Sequence, residues 1–176
     1  MGRAVTPRAT GWMRDTAVHR EPSPEDGGMA TVEATRDKVQ RMLVEGFGDI
    51  LLTKDGFALE RGSTRVNVEV KDWGKDNKGD PSSVVRIWAP LVRELKPTPE
   101  FYRWAAVDGS KFLFGSVTVI DNEATSDCFV VFDHTLLGDY IDMDELCGAV
   151  ALLSGTADDL DDVVHEKFGG KRYTDQ

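Results

Sequence analysis

His134, in the run Phe132-Asp133-His134-Thr135-Leu136-Leu137-Gly138-Asp139, is the residue of this chain best suited to proton transfer. An imidazole titrates near neutral pH, and Asp133 or Asp139 is close enough in sequence to orient it. What is missing is a nucleophile. No Ser or Cys sits in a strand-turn-helix elbow. The more economical reading has His134 bonding a loop carbonyl and fixing the connection between a strand and the helix after it. A small hydrolase or metal-dependent enzyme using His134 and nearby carboxylates is the alternative that the structure must decide.

The carboxylates admit a second chemistry. Asp158 and Asp162 lie one helical turn apart, a spacing that lets two acids share a hard cation with water. Asp72, Asp76 and Asp80 repeat at a spacing of four in a loop. Neither set has the alternating ligand order and glycine of a calcium loop. A solvated acidic face explains Asp158, Asp159, Asp161, Asp162 and Glu166 without a metal. Cys128 and Cys147 are not in metal-ligand or redox spacing and read as small core residues. No phosphate-cradling glycine motif occurs, so no nucleotide and no cofactor is expected. No catalytic and no metal-binding residue is assigned.

Aromatic residues suit recognition better than catalysis. Trp88 is out of phase with Val85, Ile87, Ala89 and Leu91 on one strand, so it should point away from their face. Phe101 and Trp104 form an i,i+3 pair, with Tyr102 partly off that stripe. Trp88, Phe101, Tyr102 and Trp104 are therefore the expected binding residues. The competing reading puts the short helix's aromatics in the core.

These residues need elements to hold them. Val32, Val39, Met42, Leu43 and Phe47 predict a helix over 31–45 that ends at Gly46. Strands are expected at 57–59, at 64–71, where Val66, Val68 and Val70 alternate with polar residues, and at 84–92. Residues 97–106 predict a short helix broken at Asp108-Gly109. Residues 111–120 and 126–132 predict a hairpin across Asp121-Asn122-Glu123. A long acidic helix closes the chain. Asp142 with Glu145 three residues on is a capping pair. Leu146, Val150, Leu153, Ala157, Leu160, Val164 and Phe168 form one stripe, and Gly169-Gly170 stops it. Gly155 is its weak point, costing about 1 kcal/mol against alanine and offering a place to kink.

The order is α-β-β-β-α-β-β-α. Hairpin-length connections favour antiparallel pairing, so the expected class is α+β. It is a single domain, with one antiparallel sheet carrying the two terminal helices on one face. Residues 1–28, with scattered prolines and no apolar period, read as a disordered tail. Met29 opens a stretch that would serve as a start by itself. The domain is expected over 29–172, with a short C-terminal tail at 173–176.

Charge narrows the partners. Of 176 residues, 21 are Lys or Arg and 31 are Asp or Glu, a net charge of −10. Such a balance argues against general nucleic-acid binding and against adsorption to an anionic membrane. It favours solubility and partners with basic segments. No run is apolar enough to span a bilayer and no secretory leader is evident, so the cytoplasm is the default location.

Several short motifs, in this order, resemble the YbjN-like family, which is related in fold to type III secretion chaperones of the CesT type. They are Lys54-Asp55-Gly56-Phe57, Val85-Arg86-Ile87-Trp88-Ala89-Pro90 and His134-Thr135-Leu136-Leu137-Gly138-Asp139, followed by Asp144-Glu145-Leu146 and Ala157-Asp158-Asp159-Leu160. The resemblance covers about residues 32–168. It implies a non-enzymatic bacterial module, small, acidic and often dimeric, that holds an extended peptide or protein client. YbjN-like proteins are also described as regulators of sensory transduction. The expected function is thus a chaperone-like or regulatory protein-binding module. Its partner is a protein or extended peptide client, with a homodimer as a further option.

Overall fold

The computed structural model describes residues 32–175; the tail expected at 1–28 lies outside them. The elements are α1 (Val32–Phe47), β1 (Leu51–Leu52), β2 (Gly56–Arg61), β3 (Thr64–Lys75), β4 (Pro81–Leu95), α2 (Pro99–Val107), β5 (Ser116–Asn122), β6 (Asp127–Leu137), α3 (Met143–Phe168) and β7 (Lys171–Arg172). All strand pairs are antiparallel, in the order β1-β2-β3-β4-β6-β5, with β7 against the end of β4. The class is α+β, as the sequence predicts. β1 and β7 are added to the expected order. Two residues cannot display a period, and β7 is defined only by its pairing with Val92 and Arg93.

Alternation along β3, β4 and β6 separates two faces. One presents Val66, Val68, Val85, Ile87, Ala89 and Phe132 to the helices, and all six are fully or almost fully buried. Residues Thr35, Val39 and Leu43 bring α1 onto this face, while the stripe from Leu146 to Val164 does so for α3. The Thr35 and Ser83 hydroxyls, 2.9 Å apart, tie α1 to β4. α2 joins on the same side through Phe101 and Trp104, which pack on Phe168 of α3.

Helix ends follow local chemistry. Asp142 accepts a 2.8 Å bond from the Glu145 amide, which caps α3. α3 then runs unbroken through Gly155. Thr98 caps α2 by accepting from Phe101 N. α1 continues past Gly46, where a stop was expected, to Phe47. The stop is Gly48, at φ 79°. Gly46 serves packing instead. A Cβ there would collide with Cys147 Sγ, so its bareness lets α1 and α3 approach.

Candidate functional site

The face of the sheet that none of the described helices covers carries a layer of paired polar groups around one large aromatic ring. Asn67 lies opposite Trp88, and Trp88 opposite Asp133, in successive strands. The Trp88 indole donates to Glu69 Oε1 at 2.7 Å, and Lys71 pairs with the same carboxylate at 2.7 Å. Burial alone would raise the Glu69 carboxyl. The bonds from Lys71 and Trp88, with the charges of Lys71 and Arg86, outweigh it and hold the group below its ordinary value. Arg86 grips Asp133 through Nε and Nη2 at 2.9 and 2.8 Å, and Thr118 donates to the other Asp133 oxygen at 2.8 Å. Trp88 is held by its bond to Glu69, and its ring meets Phe129 edge-on at 6.2 Å.

Beside Trp88 the face sinks into a cavity of about 350 Å³. Its apolar walls come from Trp88, Pro90, Val92 and Phe129. Pro90 cannot donate to a ladder, and the β4–β6 register shifts between Pro90 and Val92. β4 shifts register again before Leu95, and β7 pairs with it there, so the cavity opens where the regular sheet breaks down. Tyr173 closes one side and places its hydroxyl 3.5 Å from Glu60. Asn67 and Leu91 also line it, and Arg65, Arg93 and Lys171 supply its charged groups.

The four aromatics expected to form one surface are divided by the sheet. Trp88 lines the cavity. Phe101 is 0% exposed and Trp104 9%, stacked 6.2 Å apart behind the sheet against Phe168. Tyr102 is 42% exposed and donates to Asp121 at 2.8 Å, also away from Trp88. Several cavity residues escaped the sequence reading. Phe129 carried a usable signal, because it is out of phase with Cys128, Val130 and Phe132 as Trp88 is in β4. Tyr173, in the segment read as a tail, carried none.

His134 lies within β6 and not in a loop, opposite Ile87 and on the helix side. Its ring lies tilted against Phe114, centroids 3.7 Å apart, and burial lowers its pKa. The two acids that could orient it are engaged elsewhere. Asp133 is across the sheet with Arg86, and Asp139 accepts from the Ser82 and Ser83 hydroxyls at 2.7 and 3.0 Å. Asp158 accepts from Ser63 and Thr64, and Asp162 pairs with Arg172. Asp72 lies in β3 and not in the expected loop, and accepts from the Gly74 amide; Asp76, in the turn between β3 and β4, accepts from the Lys78 and Asp80 amides. Burial pushes the Cys128 thiol up to about 11, far from a reactive thiolate. Among the described residues no group of three or more His, Cys, Asp and Glu is placed to hold a metal ion. Nor, among them, is any helix long and apolar enough to cross a membrane.

The sheet's long edge, β5, is a weaker candidate than the cavity. The outward Val117 amide is already bonded to Gly109 O at 2.9 Å, and α2 packs beside it. A search among curated proteins finds none that matches the chain. One family model does match, across residues 33–176, and so spans both the helix-covered core and the cavity in front of it. By that match the chain belongs to TY-Chap1, the T3SS (YopN, CesT) and YbjN peptide-binding chaperone 1 family.

Proposed function

We propose that this protein is a non-enzymatic, chaperone-like module that holds an extended segment of a client protein on the helix-free face of its sheet. The observation that carries this reading is the cavity beside Trp88. It is apolar-walled, it is lined by an aromatic fixed through Glu69 and Phe129, and it lies beside the paired groups Glu69, Lys71, Arg86 and Asp133. An interface commonly centres on such a desolvated aromatic anchor with a polar rim. An apolar client side chain would enter the cavity, and flanking backbone would lie along the sheet. The engagement of Asp133 and Asp139 away from His134 supports binding over catalysis. Residence in the cytoplasm fits this reading.

An array of extended peptides, probed with the full chain, tests it. Wild-type protein should capture a subset, Trp88→Phe should keep most of it, and Trp88→Ala should lose it while remaining folded by circular dichroism. Capture indifferent to Trp88→Ala, or ester hydrolysis abolished by His134→Ala, would overturn the proposal.

A further inference from the structure

The chain has ten more acids than bases, yet among the described residues none that lines the cavity is acidic and three are cationic. Their neutralisation is incomplete. Lys171 pairs with Glu94 at 2.6 Å, with both side chains half exposed. Among the described residues Arg93 donates to a backbone carbonyl, that of Asp175, at 3.2 Å and pairs with no carboxylate. Arg65 has no carboxylate partner among the described residues. Its cross-strand neighbour Glu60 instead lies 3.5 Å from the Tyr173 hydroxyl. Nearby Glu69 is satisfied by Lys71 and Trp88. The mouth of the cavity is thus a positive spot on a negative molecule, set on β3 at one side and on the β4–β7 pair at the other.

Resting on the reading above, we propose that the segment held there is acidic: an apolar side chain in the cavity, flanked by Asp or Glu. Alternate side chains of an extended chain share a side, about 7 Å apart. A carboxylate two residues before or after the anchor would therefore face the same rim, where Arg65, Arg93 and Lys171 lie. Basic segments would be drawn to the rest of the surface but repelled at this mouth.

The test uses the full chain and three fluorescein-labelled peptides, acetylated and amidated so that no terminal charge enters. All share one central leucine in a Ser/Gly background, with Glu, Gln or Lys at both positions two residues from it. The Glu peptide should bind at least about tenfold tighter than the Gln peptide, and the Lys peptide weakest. The Glu advantage should shrink at about 0.5 M salt. It should disappear in Arg65→Gln/Arg93→Gln, in which the Gln peptide still binds.

Equal binding of all three, or preference for Lys, would overturn the acidic specificity. Loss of that binding in Trp88→Ala would still leave the cavity as the site. If none binds, both readings fall. A peptide of residues 1–31 that alone binds would make the occupant the chain's own N-terminal segment and overturn the proposal. So would doubling of mass by light scattering, blocked by Trp88→Ala, since the occupant would then be a second copy.

Discussion

Two aromatic groups, one behind the sheet and one in front of it, have similar ring spacings and opposite surroundings. Phe101, Trp104 and Phe168 meet at centroid distances of 5.3 to 6.2 Å, and Trp88 meets Phe129 at 6.2 Å. The difference lies in what surrounds the rings. Phe101 and Trp104 are closed off by α2 and α3 and belong to the apolar core. Trp88 has its indole nitrogen bonded to a carboxylate and its ring against a cavity. Aromatic content is therefore no guide to a binding surface. The phase of each residue within its element, and what the rest of the chain lays over it, decide the matter.

The comparison breaks most visibly in stability. Phe101→Ala and Trp104→Ala should each cost about 3–5 kcal/mol, because a large void opens among atoms that cannot relax fully. Trp88→Ala should cost clearly less, since part of its surface is already wet. Denaturant unfolding of the three variants measures this. If Trp88→Ala loses as much as Trp104→Ala, the front group is core as well and the cavity is incidental. Binding should rank them the other way. Trp88→Ala is expected to weaken a captured peptide about thirty-fold, near 2 kcal/mol, by fluorescence polarisation. Tyr102→Phe, at an exposed site remote from the cavity, should leave that affinity unchanged.

The same contrast explains what could be read from sequence. The strict Val66-Val68-Val70 alternation and the Leu146 to Val164 stripe made the sheet and α3 legible, because each is a local period. Trp88's orientation was legible for the same reason. Phe101 and Trp104 were ambiguous, because an i,i+3 aromatic pair looks the same whether solvent or Phe168 covers it. Phe168 is more than 60 residues away in the chain. His134 was misplaced because β6 runs five residues beyond its apolar stretch, held by backbone pairing with β4. The cavity depends on Pro90's register shift and on β7, and neither has a periodic signature.

Two acids sharpen the contrast between the faces further. Asp161 is on α3, only 5% exposed, and burial with the charges of Asp162 and Asp158 pushes it up to about 6. A carboxyl whose pKa is raised on folding binds more protons when native. It therefore takes stability away as pH rises from its unfolded value through 6. Asp161→Asn should gain on the order of 1–2 kcal/mol at pH 8 and little at pH 4. Thermal midpoints at the two values measure it. A gain equal at both would mean that the charge of Asp161 is not what costs stability.

Glu69 on the open face should behave in the opposite sense, with a smaller amplitude. Its pKa is lowered on folding, so it contributes stability above its unfolded value and loses it as pH falls through the native one. Lys71 is half exposed, which limits what the ion pair contributes. Glu69→Gln keeps an acceptor for the indole and removes only the charge, so it should cost about 0.5–1 kcal/mol at neutral pH. The more telling readout is Trp88 itself. In the wild type its ring should loosen as Glu69 protonates, moving its emission to longer wavelength once the pH falls below the ordinary glutamate range. Fluorescence lacks residue resolution in a chain with four tryptophans, so the shift is measured as the difference between wild type and Trp88→Phe. In Glu69→Gln that difference should be flat with pH. A pH-dependent shift that survives Glu69→Gln would mean that Phe129 and the strand, not the carboxylate, hold the front aromatic in place.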